Sequence, residues 1–188
     1  MKILGVDRDG VFAEYVAIPA HNAWRNDPSL DPRIAAIQEP MGNAVQTMLP
    51  NNNVEDIAGR NVAVIGTGPI GLMAIAVAKE CGAAKVFATA GGHNKTRMKL
   101  ATAMGADQVF SSSDLDHAGI VKAIRDATDG NGVDVAVEMS GQPDGLYTCF
   151  EVLTSAGRAS LLAVYDKPFE VDMNRLMVFK AATVYNIS

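Results

Sequence analysis

The pattern of apolar and polar positions divides the chain into two parts. From Gly59 onward, short apolar runs alternate regularly with longer helical patterns, and glycines punctuate most of the junctions. Up to about residue 55 the chain is rich in Pro, Asn and Asp and only weakly periodic. The second part therefore carries the stronger structural signal.

Apolar, β-branched runs in the second part predict buried strands. They cover residues 61–66, 85–90, 108–111, 133–140 and 158–164, with a further candidate at 182–187. Helices are predicted between them, over residues 69–80, 95–104, 114–128 and 143–155. Strands alternating with helices of about 10–15 residues indicate right-handed β-α-β units in a parallel sheet. The predicted fold class is α/β, a doubly wound Rossmann-type sheet with helices on both faces.

The first part gives two weaker predictions. Residues 10–20, GVFAEYVAIPA, predict a strand that ends at Pro19. The apolar periodicity from Ile34 to Leu49 predicts one helix of three to four turns, and Asp31 followed by Pro32 supplies an N-cap and a first-turn proline.

Composition and charge exclude several classes of protein. The chain is 48% hydrophobic and 20% charged, with a net charge of -5 and no Lys/Arg cluster, so nucleic acid and membrane surfaces are not expected partners. No apolar run reaches the roughly 18 residues of a membrane span. The first residues also lack the pattern of a signal peptide, and we expect a cytoplasmic protein. The two cysteines, Cys81 and Cys149, lie in apolar helical patterns and are expected to be buried free thiols.

Residues 66–71, GTGPIG, form a G-x-G-x-x-G run directly after a predicted strand and at the start of a predicted helix. In such a turn the first glycine allows the tight bend, the second lets the backbone approach a pyrophosphate, and the third allows close packing of helix on strand. The unpaired N–H groups of the helix N-terminus attract the phosphates. A similar turn occurs in adenosyl-cofactor methyltransferases, and glycines also occur at ordinary turns, but the context favours a dinucleotide. The candidate cofactor-binding residues here are Gly66, Gly68, Pro69, Ile70 and Gly71.

The end of the second strand bears on the type of dinucleotide. NAD-selective folds place an Asp or Glu there against the ribose hydroxyls, whereas this chain has Ala90 followed by Gly91. Residues 81–106 contain no carboxylate. A 2′-phosphate is then not repelled and can pair with a nearby cation. Basic candidates just past the strand are His93, Lys95 and Arg97. The prediction is NAD(P), with NADP slightly favoured; alternatively these are solvated charges and the pocket still takes NAD.

Several motifs occur together in a familiar order: GVDRDGVFAEY, PAHNAW, EPMGNAV, GTGPIG, EMSG and VFK. In these motifs the chain resembles the zinc-dependent medium-chain alcohol dehydrogenases over essentially its whole length. The pairing of EPMGNAV with GTGPIG is similar to the polyol and threonine branch of that family. The resemblance implies a two-domain oxidoreductase with zinc and substrate between its domains. It also implies a homo-oligomer, a dimer or tetramer, joined through the sixth strand.

The resemblance assigns roles to residues that the pattern alone leaves open. Glu39 would be a zinc ligand from the substrate domain, and Asn43 would lie near the nicotinamide ring. Backbone after the fourth and fifth strands would contact the ring, at Ser140, Gly141, Ala163 and Val164. Residues 1–50 would then be a remnant of the substrate domain, and residues 51–188 the Rossmann domain.

Other features of the chain depart from that family. Its remaining catalytic zinc ligands and its structural zinc loop would precede residue 1, and the segment that completes the substrate domain would follow residue 188. Gln46 stands where a His is usual, and Ala163 and Asn186 stand where glycines are usual. The segment ATAGGHNK, residues 88–95, instead resembles NADPH-dependent quinone reductases of the same superfamily. The histidines are in no ligand spacing and are expected on the surface or in loops: His21, His93 and His117.

These observations predict the cofactor-binding part of a zinc-type dehydrogenase. The enzyme would transfer a hydride between a secondary alcohol, threonine- or polyol-like, and NAD(P), with zinc expected only at full length. We expect the 188-residue chain to bind dinucleotide without turnover, and no catalytic residue is nominated within it. Two alternatives are a zinc-free NADPH-dependent quinone or enone reductase relative and a non-catalytic dinucleotide-binding module.

Overall fold

A computed structural model describes residues 2–92 and 95–187 of the chain. The chain divides into two compact units, Met1–Ala36 and Ile37–Ser188. The boundary between these units lies ahead of residue 50, where the sequence placed the domain boundary. The assignment of residues 1–50 to a substrate domain stays a prediction.

The first unit has little regular structure. It contains a 3-10 helix at Ala20–Asn22 and the short helix α1 at Pro32–Ala35. Asp31 is the N-cap of α1, as predicted, and accepts a hydrogen bond from the backbone N–H of Arg33.

The prediction of a strand that ends at Pro19 is wrong. Residues 11–19 pair with no other strand in the described part of the chain, and the side chains of Phe12 and Tyr15 are exposed. A strand is stable only when a partner satisfies its backbone groups, and an apolar run alone does not supply that partner.

The single helix predicted over residues 34–49 is two helices. The first ends at Ala35, and α2 begins afresh at Gln38 and continues to Met48. Pro40 explains the break, because a proline has no N–H and clashes with the carbonyl four residues earlier unless it lies in the first turn. With α2 starting at Gln38, Pro40 occupies that first turn.

The second unit contains a six-stranded sheet in which every pairing is parallel, with the order β3-β2-β1-β4-β5-β6. The strands are β1 at Asn61–Ile65, β2 at Lys85–Ala90, β3 at Gln108–Ser111, β4 at Val133–Glu138, β5 at Leu153–Leu161 and β6 at Thr183–Asn186. The predicted α/β doubly wound fold is confirmed.

Helices connect the strands. They are α3 at Pro69–Glu80, α4 at Lys95–Ala103, α5 at His117–Asp126 and α6 at Pro143–Glu151. A 3-10 helix at Val54–Asp56 precedes β1, and a π-helical segment at Asn174–Val178 precedes β6.

The core lies on both faces of the sheet. Along β1, Val62 and Val64 belong to a buried cluster shared with α2 and α3, while Ala63 and Ile65 belong to a second cluster shared with α5 and α6. This alternation is what a strand covered by helices on both sides requires. Cys149 is buried in the second cluster as predicted, and burial raises the pKa of its thiol.

The junction between α6 and β5 differs from the prediction, which extended the helix to Ser155. The helix ends at Glu151 because side chains from elsewhere take its last carbonyls. The ammonium of Lys180 donates to the carbonyls of Phe150 and Glu151 at 2.8 and 3.0 Å, and the guanidinium of Arg125 also donates to that of Glu151, at 2.7 Å. With these carbonyls satisfied, no further helical turn is needed and β5 begins two residues later.

Ala156 offers a test of local strain in β5. It has a φ of 58°, in the left-handed region that non-glycine residues avoid, and it is exposed. We expect Ala156→Gly to raise the free energy of unfolding by about 0.5–1 kcal/mol, since relief of strain exceeds the added flexibility of the unfolded chain. Urea denaturation measures it. The matched control is Ala118→Gly on the exposed face of α5, which should lower stability by about 1 kcal/mol. Equal losses at both positions would contradict the strain.

Candidate functional site

The strand order creates a crevice at one edge of the sheet. β2 and β3 lie on one side of β1. The chain then crosses back, so that β4 lies on the other side of β1. The connections after β1 and β4 therefore lead away in opposite directions. In open parallel sheets, ligands bind at the carboxyl ends of the strands at this switch point.

The glycine-rich turn between β1 and α3 is tightly packed at its first and last glycines. Gly66 has a φ of 105°, and a Cβ there would lie 2.9 Å from backbone atoms of Met139 and Ser140. A Cβ on Gly71 would lie 2.0 Å from the carbonyl oxygen of Gly66. Both positions therefore require glycine for the backbone to take this path.

The middle of the same turn is open. Gly68 is the N-cap of α3, it has no side chain to cap the helix, and a Cβ there would meet no atom of the described residues within 4 Å. Pro69, the first residue of α3, is exposed, and Ile70 after it is half-buried. The N-terminus of α3 therefore presents backbone N–H groups and a positive dipole end to the crevice, where an anion such as a pyrophosphate fits.

A cavity of about 480 Å³ lies beside this turn. Four of the predicted site residues line it together: Gly66, Ala90, Gly91 and Ser140. Its wall also contains residues that the sequence did not nominate, among them Thr89, Asp116, His117, Asp144 and Thr148. Thr89 supports the turn, since its hydroxyl oxygen accepts a hydrogen bond from the N–H of Gly66 at 3.1 Å.

Two carboxylates enter this cavity from helix N-termini. Asp116 is the N-cap of α5 and accepts from the N–H of Gly119 at 2.8 Å, and Asp144 lies in the first turn of α6. No carboxylate ends β2, where Ala90 is buried and Gly91 is exposed. Neither aspartate was predicted as a site residue, because only the folded topology brings the two to one cavity.

His117 is not the surface or loop residue that was predicted. It is the first residue of α5 and is half-buried. Its ring nitrogens lie 2.8 Å from the hydroxyl of Thr148 and 3.0 Å from the carboxylate of Glu151. These partners belong to α6 and are distant from His117 in the sequence, so the residues around His117 gave no sign of them. Of the other histidines, His21 is exposed as predicted and His93 lies outside the described residues.

The backbone segments predicted to contact a nicotinamide ring are adjacent. Gly141 has a φ of 68°, and a Cβ there would lie 2.9 Å from the carbonyl oxygen of Val164. The side chain of Val164 is 88% exposed, and Ala163 and Ser140 are half-buried. The loops after β4 and β5 thus meet at the edge of the crevice.

The remaining predicted residues lie away from this cavity. Lys95 and Arg97 are exposed in the first turn of α4 and do not line it. On α2, Glu39 is exposed and its carboxylate accepts from the side-chain amide of Asn43 at 2.9 Å.

No three His, Cys, Asp or Glu side chains are grouped for a metal ion within residues 2–92 and 95–187. A catalytic zinc ion needs three protein ligands. Glu39 is a single candidate ligand, so the described residues do not by themselves form a zinc site. Within the same residues, no helix is both long and apolar enough to cross a membrane.

Comparison with known proteins gives the family. The family model described as zinc-binding dehydrogenase matches residues 69–188. L-threonine 3-dehydrogenase of Pyrococcus abyssi (strain GE5 / Orsay) is 46% identical over 187 residues, which make up 100% of this chain and 51% of that enzyme. The chain therefore spans about half the length of the curated relatives it matches.

Two solved structures share the fold. Galactitol-1-phosphate dehydrogenase from Escherichia coli has a TM-score of 0.85 at 23% identity, over 100% of this chain and 52% of its own. A protein from Sinorhizobium meliloti 1021, described as a zinc-binding dehydrogenase and bound to NADP, has a TM-score of 0.84 at 28% identity, over 98% of this chain and 52% of its own. The chain belongs to the zinc-binding dehydrogenase family, of which it carries the cofactor-binding domain, and it is related to the threonine dehydrogenases.

Proposed function

We propose that the chain binds NAD(P) and forms the cofactor-binding part of an oxidoreductase that acts on a secondary alcohol, threonine- or polyol-like. The observation that carries the proposal is the open N-terminus of α3 behind the glycine-rich turn, at the switch point of the sheet. The name of the related enzyme from Pyrococcus abyssi supports threonine as the substrate class.

The geometry supports one orientation of the dinucleotide. Its pyrophosphate would lie at Gly68, where no side chain obstructs the backbone N–H groups of α3. The adenosine half would fill the cavity beside Ala90 and Gly91. The nicotinamide would then reach the loops at Ser140 and Val164, whose backbones meet there. Asn43, on α2, is proposed to face the nicotinamide, and Glu39, on the same helix, is proposed to be one ligand of a catalytic metal.

When bound, nicotinamide supplies the acceptor for the hydride that leaves the alcohol carbon. The residues of this chain orient the cofactor and exclude water from it. A catalytic zinc ion needs three protein ligands and Glu39 would supply one, so we expect the chain to bind cofactor and not to oxidise L-threonine. Steady NAD(P)H formation from the purified chain with L-threonine would contradict this part of the proposal.

Calorimetric titration of the chain with NADP and with NAD tests binding directly. We expect both to bind and NADP to bind more tightly, because β2 ends without a carboxylate. The presence of NADP in the Sinorhizobium meliloti protein supports this preference. Asp116 and Asp144 in the cavity wall would repel the 2′-phosphate of NADP. Tighter binding of NAD than of NADP would therefore show that the charge of these carboxylates decides which dinucleotide is preferred. If neither NADP nor NAD binds, the result contradicts the proposed function.

Gly91→Asp should reverse the preference for NADP. Gly91 is exposed, it has no positive φ, and a Cβ there would meet no atom of the described residues within 4 Å, so none of those residues obstructs an added side chain. The new carboxylate would repel a 2′-phosphate and accept from ribose hydroxyls. We expect the Kd of NADP to rise at least tenfold, about 1.4 kcal/mol, with little change for NAD.

Gly91→Asn is the matched control for that change, because it has the same shape without the charge. It should leave the ratio of the two Kd values within about twofold of the original. A similar loss of NADP binding in both variants would show that the side chain acts by bulk, and the adenosine half would then lie elsewhere.

We also propose a homo-oligomer, a dimer or tetramer. β6 is an edge strand that pairs only with β5 among the described residues, so its other side has backbone groups that a second copy could satisfy. Light scattering on the purified chain measures the mass, and a monomer at all concentrations would contradict this assembly.

A further inference from the structure

Glu138, the last residue of β4, is a buried carboxylate at the edge of the crevice. Its side chain is 0% exposed. A buried carboxylate is costly unless hydrogen bonds or a cation compensate it. No Lys, Arg or His within salt-bridge distance of Glu138 is found in the described residues, so hydrogen bonds must provide the compensation.

One side of this carboxylate holds the loop after β4. Its Oε1 accepts from the backbone N–H of Ser140 at 2.8 Å and also from the hydroxyl of Ser140. These bonds end the strand and fix the path of the backbone into Gly141, which would contact the nicotinamide ring in the proposed orientation.

The other side holds the loop after β5. The phenol of Tyr165 donates to Oε2 of Glu138 at 2.8 Å. Burial first, and then the hydrogen bond to Glu138, raise the pKa of Tyr165, so the phenol stays protonated and is the donor. The backbone carbonyl of Glu138 also accepts from the N–H groups of Leu162 and Ala163 at 3.1 and 3.3 Å.

Helix α6 packs closely against this carboxylate at Gly145. A Cβ on Gly145 of α6 would lie 2.0 Å from the hydroxyl oxygen of Ser140 and 2.8 Å from Oε1 of Glu138. The carboxylate is thus confined between α6 and the two loops, and it is the group to which both loops bond.

We propose that Glu138 is a positioning residue that ties the loop after β4 to the loop after β5 and so holds both backbones against the nicotinamide half of the dinucleotide. The proposal rests on the proposed binding of NAD(P). It predicts that loosening the tie weakens binding of the nicotinamide ring and leaves binding of the adenosine half unchanged.

Tyr165→Phe tests the tie, because it removes one hydrogen bond and keeps the ring. Tyr147→Phe is the matched control: its phenol donates to the carbonyl of Glu170, beyond the same β5, at 2.7 Å and does not touch Glu138. Titrations would compare NADP with 2′-phospho-ADP-ribose, which lacks only the nicotinamide ring. In Tyr165→Phe we expect the affinity for NADP to fall at least fivefold and that for the shorter ligand to change less than twofold. Tyr147→Phe should change neither.

Glu138→Gln is the second variant, since an amide keeps the shape but has an NH2 donor in place of one of the two acceptor oxygens. It should reproduce the loss for NADP. Equal losses for both ligands in Tyr165→Phe and Glu138→Gln would indicate a purely structural role and overturn the proposal, as would unchanged binding of NADP.

Amide hydrogen exchange in the chain without ligand tests the tie independently of binding. We expect the N–H groups of Leu162 and Ala163 to exchange at least tenfold faster in Tyr165→Phe than in the original chain or in Tyr147→Phe. Unchanged exchange would overturn the tie itself. If the original chain binds neither ligand, the proposed function fails, and the exchange result still decides whether Glu138 joins the two loops.

Discussion

Replacing Gly71 by alanine should abolish dinucleotide binding and lower the free energy of unfolding by about 3 kcal/mol, the upper part of the usual range for overpacking. The added Cβ would lie 2.0 Å from the carbonyl oxygen of Gly66. Gly66 has little freedom to move, because its N–H is bonded to Thr89 and a Cβ on it would lie only 2.9 Å from the backbone of Met139 and Ser140. Either α3 or the turn must therefore shift. Urea denaturation and calorimetric titration with NADP measure the two effects.

Gly68→Ala is the control that separates binding from folding. Among the described residues, no atom lies within 4 Å of a Cβ at Gly68, and the φ of −66° suits alanine, so stability should change by less than about 1 kcal/mol. Binding of NADP should still fall at least tenfold, because the methyl group occupies the space where the pyrophosphate approaches the backbone. Normal binding by Gly68→Ala would contradict the proposed position of the pyrophosphate. Unchanged stability of Gly71→Ala would contradict the close packing of the turn.

The alternation of strands and helices was predictable because its determinants are local. β2 and β3 were predicted at their observed limits, and α3 begins and ends where its proline and glycine signals place it. Such elements depend on short apolar runs and turn residues, which the sequence displays directly. The break before α2 also has a local cause in Pro40, which the prediction from apolar periodicity did not take into account.

The end of α6 was not predictable in this way. Its carbonyls are satisfied by Lys180 and Arg125, which are distant in sequence. A capping interaction of this kind depends on the packed fold, and the apolar pattern through Ser155 continues without a sign of it. The early start of β5 follows from the same long-range contacts.

In the candidate site, too, the local features were predictable and the long-range contacts were not. The turn at residues 66–71 was identified because its chemistry resides in one contiguous segment. The bond between Glu138 and Tyr165 and the approach of His117 to Glu151 join residues far apart in the chain. Those contacts exist only once the parallel sheet brings the carboxyl ends of its strands to one edge.

Arg158 should show the second large effect, because it is a buried charge that anchors α2. It is 9% exposed, and its guanidinium donates to the carbonyl of Met48, the last residue of α2, at 2.8 Å and to the hydroxyl of Ser160 at 3.0 Å. Arg158→Met keeps most of the side-chain volume but leaves both acceptors buried without a donor. We expect the free energy of unfolding to fall by about 2 kcal/mol, since the lost bonds outweigh the regained cost of burying the charge.

Arg60→Met is the matched control for that prediction. The side chain of Arg60 is 55% exposed and its contact with Asp134 is 3.8 Å long, so its removal should cost less than about 1 kcal/mol. Hydrogen exchange adds a readout specific to the anchor: the amides of α2 should exchange faster in Arg158→Met and not in Arg60→Met. Because α2 carries Glu39 and Asn43, a loosened α2 would displace the residues proposed to face the metal and the nicotinamide. Equal stability of the two variants would show that the carbonyl of Met48 finds another donor and that α2 is held by its apolar face alone.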